Sequence, residues 1–433
     1  MKDSTAVPSV PEAMEEAYAW TRQRVRDSLE WGDPIPDEAL MARIEQTLFS
    51  SFQAAGQFTS DVLEQIVKRV YYSFRGLDAL QPLVDDPDIT EIMINSHQEC
   101  FIERKGRVER LESGFEDEDK LEDVIQAVVS QVNRVVNESS PIVDARLPDG
   151  SRVHVVLPPI ALKGPTVTIR KFPAEPMKMG DLIRLGALSE QAALLLQTLV
   201  AAKFNIFISG GTGSGKTTFL NALSQYIPRQ ERVITIEDAA ELQIHTVPNL
   251  VSLETRNANT EGKGAVTIRD LIRASLRMRP DRIVVGEVRG AEALDMLQAM
   301  NTGHEGSLST GHSNGPADMI SRLETMVLSG ANLPVEVVRR QIASAIDIIV
   351  HLARLRDGSR KVMEISEVIG LQDGEVLLGP LFRFEESGTE EGQVAGRLDA
   401  QQMLRDRHKL AMAGLRLPED KEVHADGEAA RGG

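Results

Sequence analysis

The 433 residues include one cysteine, Cys100, which excludes an internal disulfide framework and a cysteine-based zinc site and suits a reducing compartment. No apolar run approaches the roughly 18 residues of a membrane span. The nearest, 192–208, is broken by Gln197, Lys203 and Asn205. The start, Met1 to Glu15, is polar and acidic, without a basic stretch leading into an apolar one, so no signal peptide is expected. A cytoplasmic location follows as the expectation. Positive charge is in deficit. The net charge of −17 argues against a dedicated nucleic-acid binder, whose affinity comes largely from neutralising phosphates with Lys and Arg. There are no internal repeats. What the chain does have is length and 42% hydrophobic residues, enough for two or three cored domains.

The pattern along the chain divides it into five parts. Residues 1–80 read as a helical module, clearest at Ser60–Phe74, where Val62, Leu63, Ile66, Val67, Val70 and Phe74 recur at helical spacing. Ser60 and Asp37 are expected as helix caps. Residues 81–173 mix strand and helix. Strands are expected at Thr90–Asn95, Glu99–Glu103 and Thr166–Arg170, and on both sides of a turn at Pro148-Asp149-Gly150. A helix follows the acidic run Phe115–Asp123 and extends through Val132. Pro173, Pro176 and Gly180 mark a linker over 174–185. Residues 186–385 alternate helix with short apolar strands (Asn205–Ser209, Val233–Glu237, Arg282–Gly286), the mark of an α/β domain with a mostly parallel sheet. That region closes with antiparallel strands around Asp357-Gly358 and a short hairpin at Asp373-Gly374. Residues 386–433 are polar and of mixed charge, and read as a weakly ordered tail.

The strongest chemical signal lies in the fourth part. Gly210, Gly211, Thr212, Gly213, Ser214, Gly215, Lys216 and Thr217 satisfy G-x-x-x-x-G-K-[ST] between an apolar strand and a helix expected over Thr218–Tyr226. The glycines let backbone N–H groups curl around a β-phosphate, and the helix start adds favourable partial charge. Lys216 would neutralise the β/γ oxygens, Thr217 would offer its hydroxyl to Mg²⁺, and Thr218 completes the binding set. ATP and Mg²⁺ are therefore the expected ligands. No Asn-Lys-x-Asp base-reading motif occurs, which disfavours GTP.

Such a site needs carboxylates for the metal and for water. Glu287 ends the strand Arg282–Gly286, although the usual signature there ends in Asp, so its metal role stays open on the residues alone. Glu237 and Asp238 end another strand, where open α/β sheets put their ligands. An exposed turn would account for either pair alone; two at matching strand ends favour a site. His304 and His312 flank a Gly/Ser/Thr-rich stretch and, eight apart along a short strand, would face one side. Their spacing is wrong for zinc, and a polar sensor of the γ-phosphate fits better. Arg269, Arg273 and Arg277 recur along one helix, with Arg279 and Arg282 beyond. They form either a solvated face beside acidic neighbours or a stripe that meets phosphate or acidic surface on an adjacent subunit.

Four motifs in order resemble those of the type II/type IV secretion-system ATPases. Gly210–Thr217 looks like Walker A, 235–242 like the Asp box, 282–289 like a Walker B whose regular carboxylate is Glu, and Gly303–His312 like the His box. Leu253–Arg256, Glu261–Gly264 and Arg277–Asp281 are most similar to the tight-adherence (Flp) pilus assembly subfamily, CpaF or TadA. Asn257, Asn259, Ser313 to Gly315 and His154 depart from the commoner residues there. The tetracysteine insert of type II members and the C-terminal motif of retraction ATPases are missing. The resemblance implies a RecA-like P-loop domain behind a PAS-like α+β domain that caps the nucleotide. It also implies a homo-hexamer working on an inner-membrane platform protein, and so a cytoplasmic place peripheral to that membrane. It assigns Glu287 to the metal, Glu237 with Asp238 to the attacking water, His304 and His312 to the γ-phosphate, and Arg152 and Arg170 to its developing charge; Arg256 is a further candidate. The other readings are a RecA-type nucleic-acid translocase, a small-molecule kinase and a scaffold that binds ATP without turnover.

Overall fold

The computed structural model describes residues 10–29, 35–51, 58–75, 77, 80–111, 114–115, 117–131, 135–147, 149–172, 176–256, 258, 263–390 and 392–417. Val132, Pro148, Pro173, Asn257, Asn259 and Glu261, named above, lie outside the described residues. The chain forms two compact units, Met1–Ala174 and Glu175–Gly433.

The first unit opens with helices α1 (Val10–Asp27), α2 (Asp37–Ser50) and α3 (Ser60–Arg75). Leu40, Ile44 and Leu48 on α2 meet Ile66 and Val70 on α3 in one small core, because residues four apart share a helix face. Asp37 is the first helical residue and not the cap. Pro36 holds that position without a side-chain bond, and α3 likewise begins at Ser60 itself.

A separate core lies under α4 (Gln81–Asp85), β1 (Ile89–Ser96), β2 (Glu99–Arg104), β3 (Arg107–Arg110), α5 (Glu118–Gln131), β4 (Ile142–Arg146), β5 (Arg152–Val156) and β6 (Thr166–Arg170). The strands form an antiparallel sheet in the order β3-β2-β1-β6-β5-β4. Helix α5 contributes Leu121, Val124, Ile125, Val128 and Val129 to its core, a 3–4 spacing worth roughly 1.5–3 kcal/mol per large side chain buried. Strand β3 is wholly exposed and charged at three of four positions, which hid it in the sequence.

The second unit runs α6 (Met179–Arg184), α7 (Glu190–Ala201), β7 (Ile206–Gly210), α8 (Lys216–Ser224), β8 (Arg232–Glu237), β9 (Asn249–Glu254), α9 (Ile268–Ser275), β10 (Arg282–Val285), α10 (Glu292–Asn301), β11 (Leu308–Gly311), α11 (Pro316–Gly330), α12 (Val335–Ala345), β12 (Ile348–Arg354), β13 (Arg360–Gln372), β14 (Glu375–Glu390), β15 (Gln393–Ala400) and α13 (His408–Met412). Its nine strands follow the order β15-β14-β13-β12-β7-β11-β10-β8-β9. From β12 to β9 every pairing is parallel. The central strands are buried on both faces. Ile206 and Ile208 enter one core and Phe207 the other, and Val284 is likewise separated from Ile283 and Val285. This is the RecA-like architecture expected from the motifs.

The sheet does not end at residue 385. Residues 386–390, expected in a weakly ordered tail, complete β14 and 393–400 form β15, while Leu398, Leu404, Leu410 and Leu417 enter the main core. Single apolar residues spaced through a polar stretch leave its average composition tail-like, yet each fills a place in the core. The hairpin at Asp373-Gly374 is a two-residue turn with both residues at positive φ, 52° and 81°. It joins strands of 13 and 16 residues, far longer than expected. Among the described residues, no helix is long and apolar enough to cross a membrane.

Candidate nucleotide site

Strand β7 delivers the glycine-rich loop to the C-terminal edge of the sheet. Gly210 is fixed there by crowding, since a Cβ would sit 2.4 Å from Leu352 O and 2.5 Å from Ser214 Oγ. Gly215, at φ 91°, is the N-cap of α8, a left-handed conformation that side chains resist. The helix starts at Lys216, two residues before the expected Thr218, so Lys216, Thr217 and Thr218 all lie in its first turn. The N–H groups of that turn lack intrahelical partners and favour an anion.

Lys216 is buried, and its Nζ donates to Gly211 O at 2.9 Å and Gly210 O at 3.2 Å. It lies 3.4 Å from His312 Nδ1. His312 follows β11, the neighbour of β7, and its Nε2 is 2.8 Å from Glu287 Oε1. Burial and the nearby Lys216 charge lower the His312 pKa, so the ring is neutral near pH 7. Gly211, Thr212, His312, Ser313, Asn314, Asp318, Ser321 and Arg322 line a cleft of about 500 Å³ beside the loop.

The two acidic strand ends adjoin, because β10 pairs with β8. Burial pushes the Glu287 pKa up, but the Arg289 hydrogen bond with the charges of Arg289, His312 and Lys216 outweighs it and holds the group below its ordinary value. Among the described residues Glu237 has no such cation. Burial raises its pKa to about 7, although the backbone N–H groups of Glu241 and Leu242 donate to its Oε1 at 2.9 and 3.1 Å. Its side chain lies over Gly286, where a Cβ would meet Glu237 Cγ at 2.8 Å. That is why glycine precedes Glu287. Asp238 is half-exposed, 3.9 Å from Arg289 Nη1.

A magnesium ion fits these residues. Glu287 Oε1 is buried and, despite the nearby His312, receives no aligned hydrogen bond. No group of three His, Cys, Asp or Glu side chains forms a metal cage among the described residues. That suits Mg²⁺, which is usually held by one or two protein oxygens plus phosphates and water.

Other expected site residues are placed differently. His304 precedes β11 at the opposite edge of the sheet, with Nδ1 3.2 Å from Ala299 O. Only Leu308–Gly311 of the intervening stretch is strand, so a two-residue period does not carry from one histidine to the other. Arg152 and Arg170 face each other across β5 and β6 of the first unit. Arg152 donates to Asp144 at 3.2 Å, an acceptor it shares with His154, and Arg170 stands opposite Glu91. Arg256 Nε donates to Gly264 O at 2.8 Å.

The basic stripe is divided: Arg273, Arg277 and Arg279 are exposed, Arg269 is half-buried and Arg282 is buried. Arg269 and Arg273 converge on buried Asp295 at 2.7 and 2.9 Å. Arg282 is fully buried and doubly bonded to Glu231, with further bonds to Val200 O and Gly306 O. Two features went unread in the sequence. Arg289 sits two residues from Glu287, so the Walker B motif itself carried that signal. The Arg360 Nε bond to Gly213 O spans 147 residues and left none.

A putative conjugal transfer protein of Mycobacterium tuberculosis is 37% identical over 297 residues, covering 67% of this chain and 84% of that one. The type IV secretion system protein VirB11 of Brucella suis is 34% identical over 333 residues, covering 70% and 92%. The solved structure of the VirB11 ATPase from the Brucella suis type IV secretion system, in complex with sulphate, is 33% identical and covers 70% of this chain and 96% of that one, with a TM-score of 0.37. Residues 75–425 match the type II/IV secretion system protein family, and the chain belongs to that family.

Proposed function

We propose that this chain is a motor ATPase that hydrolyses ATP to drive pilus assembly or protein secretion across the bacterial envelope. The observation that carries the reading is the convergence of Lys216, His312 and ionised Glu287 at the end of β7, β11 and β10, with His312 Nδ1 3.4 Å from Lys216 Nζ and His312 Nε2 2.8 Å from the buried Glu287 Oε1. Thr217 and Glu287 would hold Mg²⁺, which supplies charge neutralisation on the phosphate oxygens. Lys216 and the first turn of α8 bind the β- and γ-phosphates. Glu237 takes a proton from the attacking water, with Asp238 in support; a carboxyl whose pKa is about 7 suits a base working near neutrality. His312 links Lys216 to Glu287 and reports the γ-phosphate. Arg152 and Arg170 neutralise charge as it develops, a role supported by their shared face on the first unit's sheet and by the family motifs.

The wider setting belongs to the same proposal. The protein works as a homo-hexamer in the cytoplasm, on an inner-membrane platform protein, within a system close to tight-adherence pili. The motif runs around Leu253–Arg256 and Arg277–Asp281 support that placement. Phosphate release from MgATP by wild type and Lys216→Ala tests the catalytic core. A loss of about 10²-fold or more is expected, and equal rates refute it. Solution mass with a non-hydrolysable ATP analogue tests the ring, and a species that stays monomeric counts against it.

A further inference from the structure

Strand β12 lies beside β7 so that Leu352 is opposite Gly210, and two residues later β12 ends at Arg354. The chain turns at Asp357, whose carboxylate accepts from Ser359 and from Val394 N. Strand β13 then opens at Arg360, directly opposite Arg354. Paired residues on antiparallel strands project from one face, so the two arginines stand side by side at the phosphate loop. Arg360 Nε donates to Gly213 O at 2.8 Å. A guanidinium nitrogen of Arg354 is 3.9 Å from the place a Gly213 Cβ would take.

Like charges directly opposite each other in a ladder repel. Neither arginine has a carboxylate within ion-pair distance among the described residues, whereas Arg356 in the same hairpin is paired with Glu386 at 2.6 Å. Arg360 spends only Nε on the loop, and the other N–H groups of its fork remain for an acceptor. An anion between the two side chains would relieve the repulsion.

Topology decides which part of a nucleotide that anion is. β12 flanks β7 on one side, while β11, β10 and β8 lie on the other. His312 and Glu287 follow, and Glu237 ends, strands of that second side, where the metal and water for γ-phosphate cleavage belong. The arginine pair therefore meets the phosphates nearer the nucleoside. We propose that Arg354 and Arg360 form a cationic seat, built by the same chain as the phosphate loop, for the α- and β-phosphates of bound nucleotide. The inference rests on the nucleotide reading above. Both phosphates are present in ADP and ATP, so the seat acts on binding more than on the chemical step.

Calorimetric titration of the full chain with MgADP tests it, using wild type, Arg354→Ala, Arg360→Ala and Arg356→Ala. The first two variants weaken binding by about 10- to 100-fold, as loss of a charge-assisted hydrogen bond implies, while Arg356→Ala stays within about twofold. In turnover assays KM rises more than kcat falls. Both side chains are exposed, so melting temperatures hold. Wild-type binding matched by Arg354→Ala and Arg360→Ala overturns the seat alone. A wild type that binds no MgADP overturns the nucleotide reading with it.

Discussion

Glu287 and Glu237 end adjacent strands of one sheet, yet their environments push their protons in opposite directions. Both are desolvated. Glu287 has Arg289, His312 and Lys216 around it, so burial loses to positive charge and the carboxylate stays ionised. Glu237 has backbone donors but acidic neighbours, Glu241 and Glu254, and burial wins. The difference teaches that strand-end position supplies a carboxylate, while the cations nearby decide whether it serves as a standing negative charge or as an exchangeable proton site.

The largest expected effect comes from removing the standing charge. Glu287→Gln should cut phosphate release by about 10²–10³-fold at every pH between 6 and 9, and a variant with wild-type turnover would erase the distinction between the two acids. The next concerns Glu237. Wild-type turnover should climb with pH around about 7, and Glu237→Gln should be slow and lack that limb. Stability moves the other way. A carboxyl at about 7, against an ordinary 4.5, binds its proton more tightly when folded, so its stabilisation is full below 4.5 and lost as pH rises through about 7. Thermal melts from pH 5 to 8 should therefore fall more steeply for wild type than for Glu237→Gln.

A smaller change sharpens the role of the cation. Arg289→Ala removes the leading force that lowers the Glu287 pKa, so in the Glu237→Gln background, which lacks the limb near 7, Mg²⁺-dependent turnover should fail at a higher pH on the acid side than with Arg289 present. Loss at mid-range pH should be only about 3- to 10-fold, because the Lys216 charge remains; an unmoved acid limb would show that Arg289 does not set the charge. The smallest effect belongs to His304. His304→Ala should leave turnover within about twofold, as expected for a residue away from the phosphate loop, whereas His312→Ala should not.

Much of this was legible because it is local. The loop from Gly210 to Thr217, the strand that feeds it and the acids at 237 and 287 are each written within a few residues. The parallel core was legible too, since strands buried on both faces show as short apolar runs. The C-terminal strands were not. β14 and β15 carry Glu, Arg and Gly on their exposed face, so the four leucines that dock them read as isolated. The histidine pair misled for a related reason, because equal spacing means one face only if the whole stretch is strand.

The sequence by itself determined that a phosphate-binding loop stands at a strand–helix junction and that carboxylates lie at neighbouring strand ends, because glycine conformation and strand period act over short range. Tertiary structure alone decided which charges meet there. Asp295 claims Arg269 and Arg273, Glu231 claims Arg282, and the Arg354 and Arg360 pair is left at the loop. Charge acts through space, and contacts such as Arg360 with Gly213 join residues that the chain order keeps far apart.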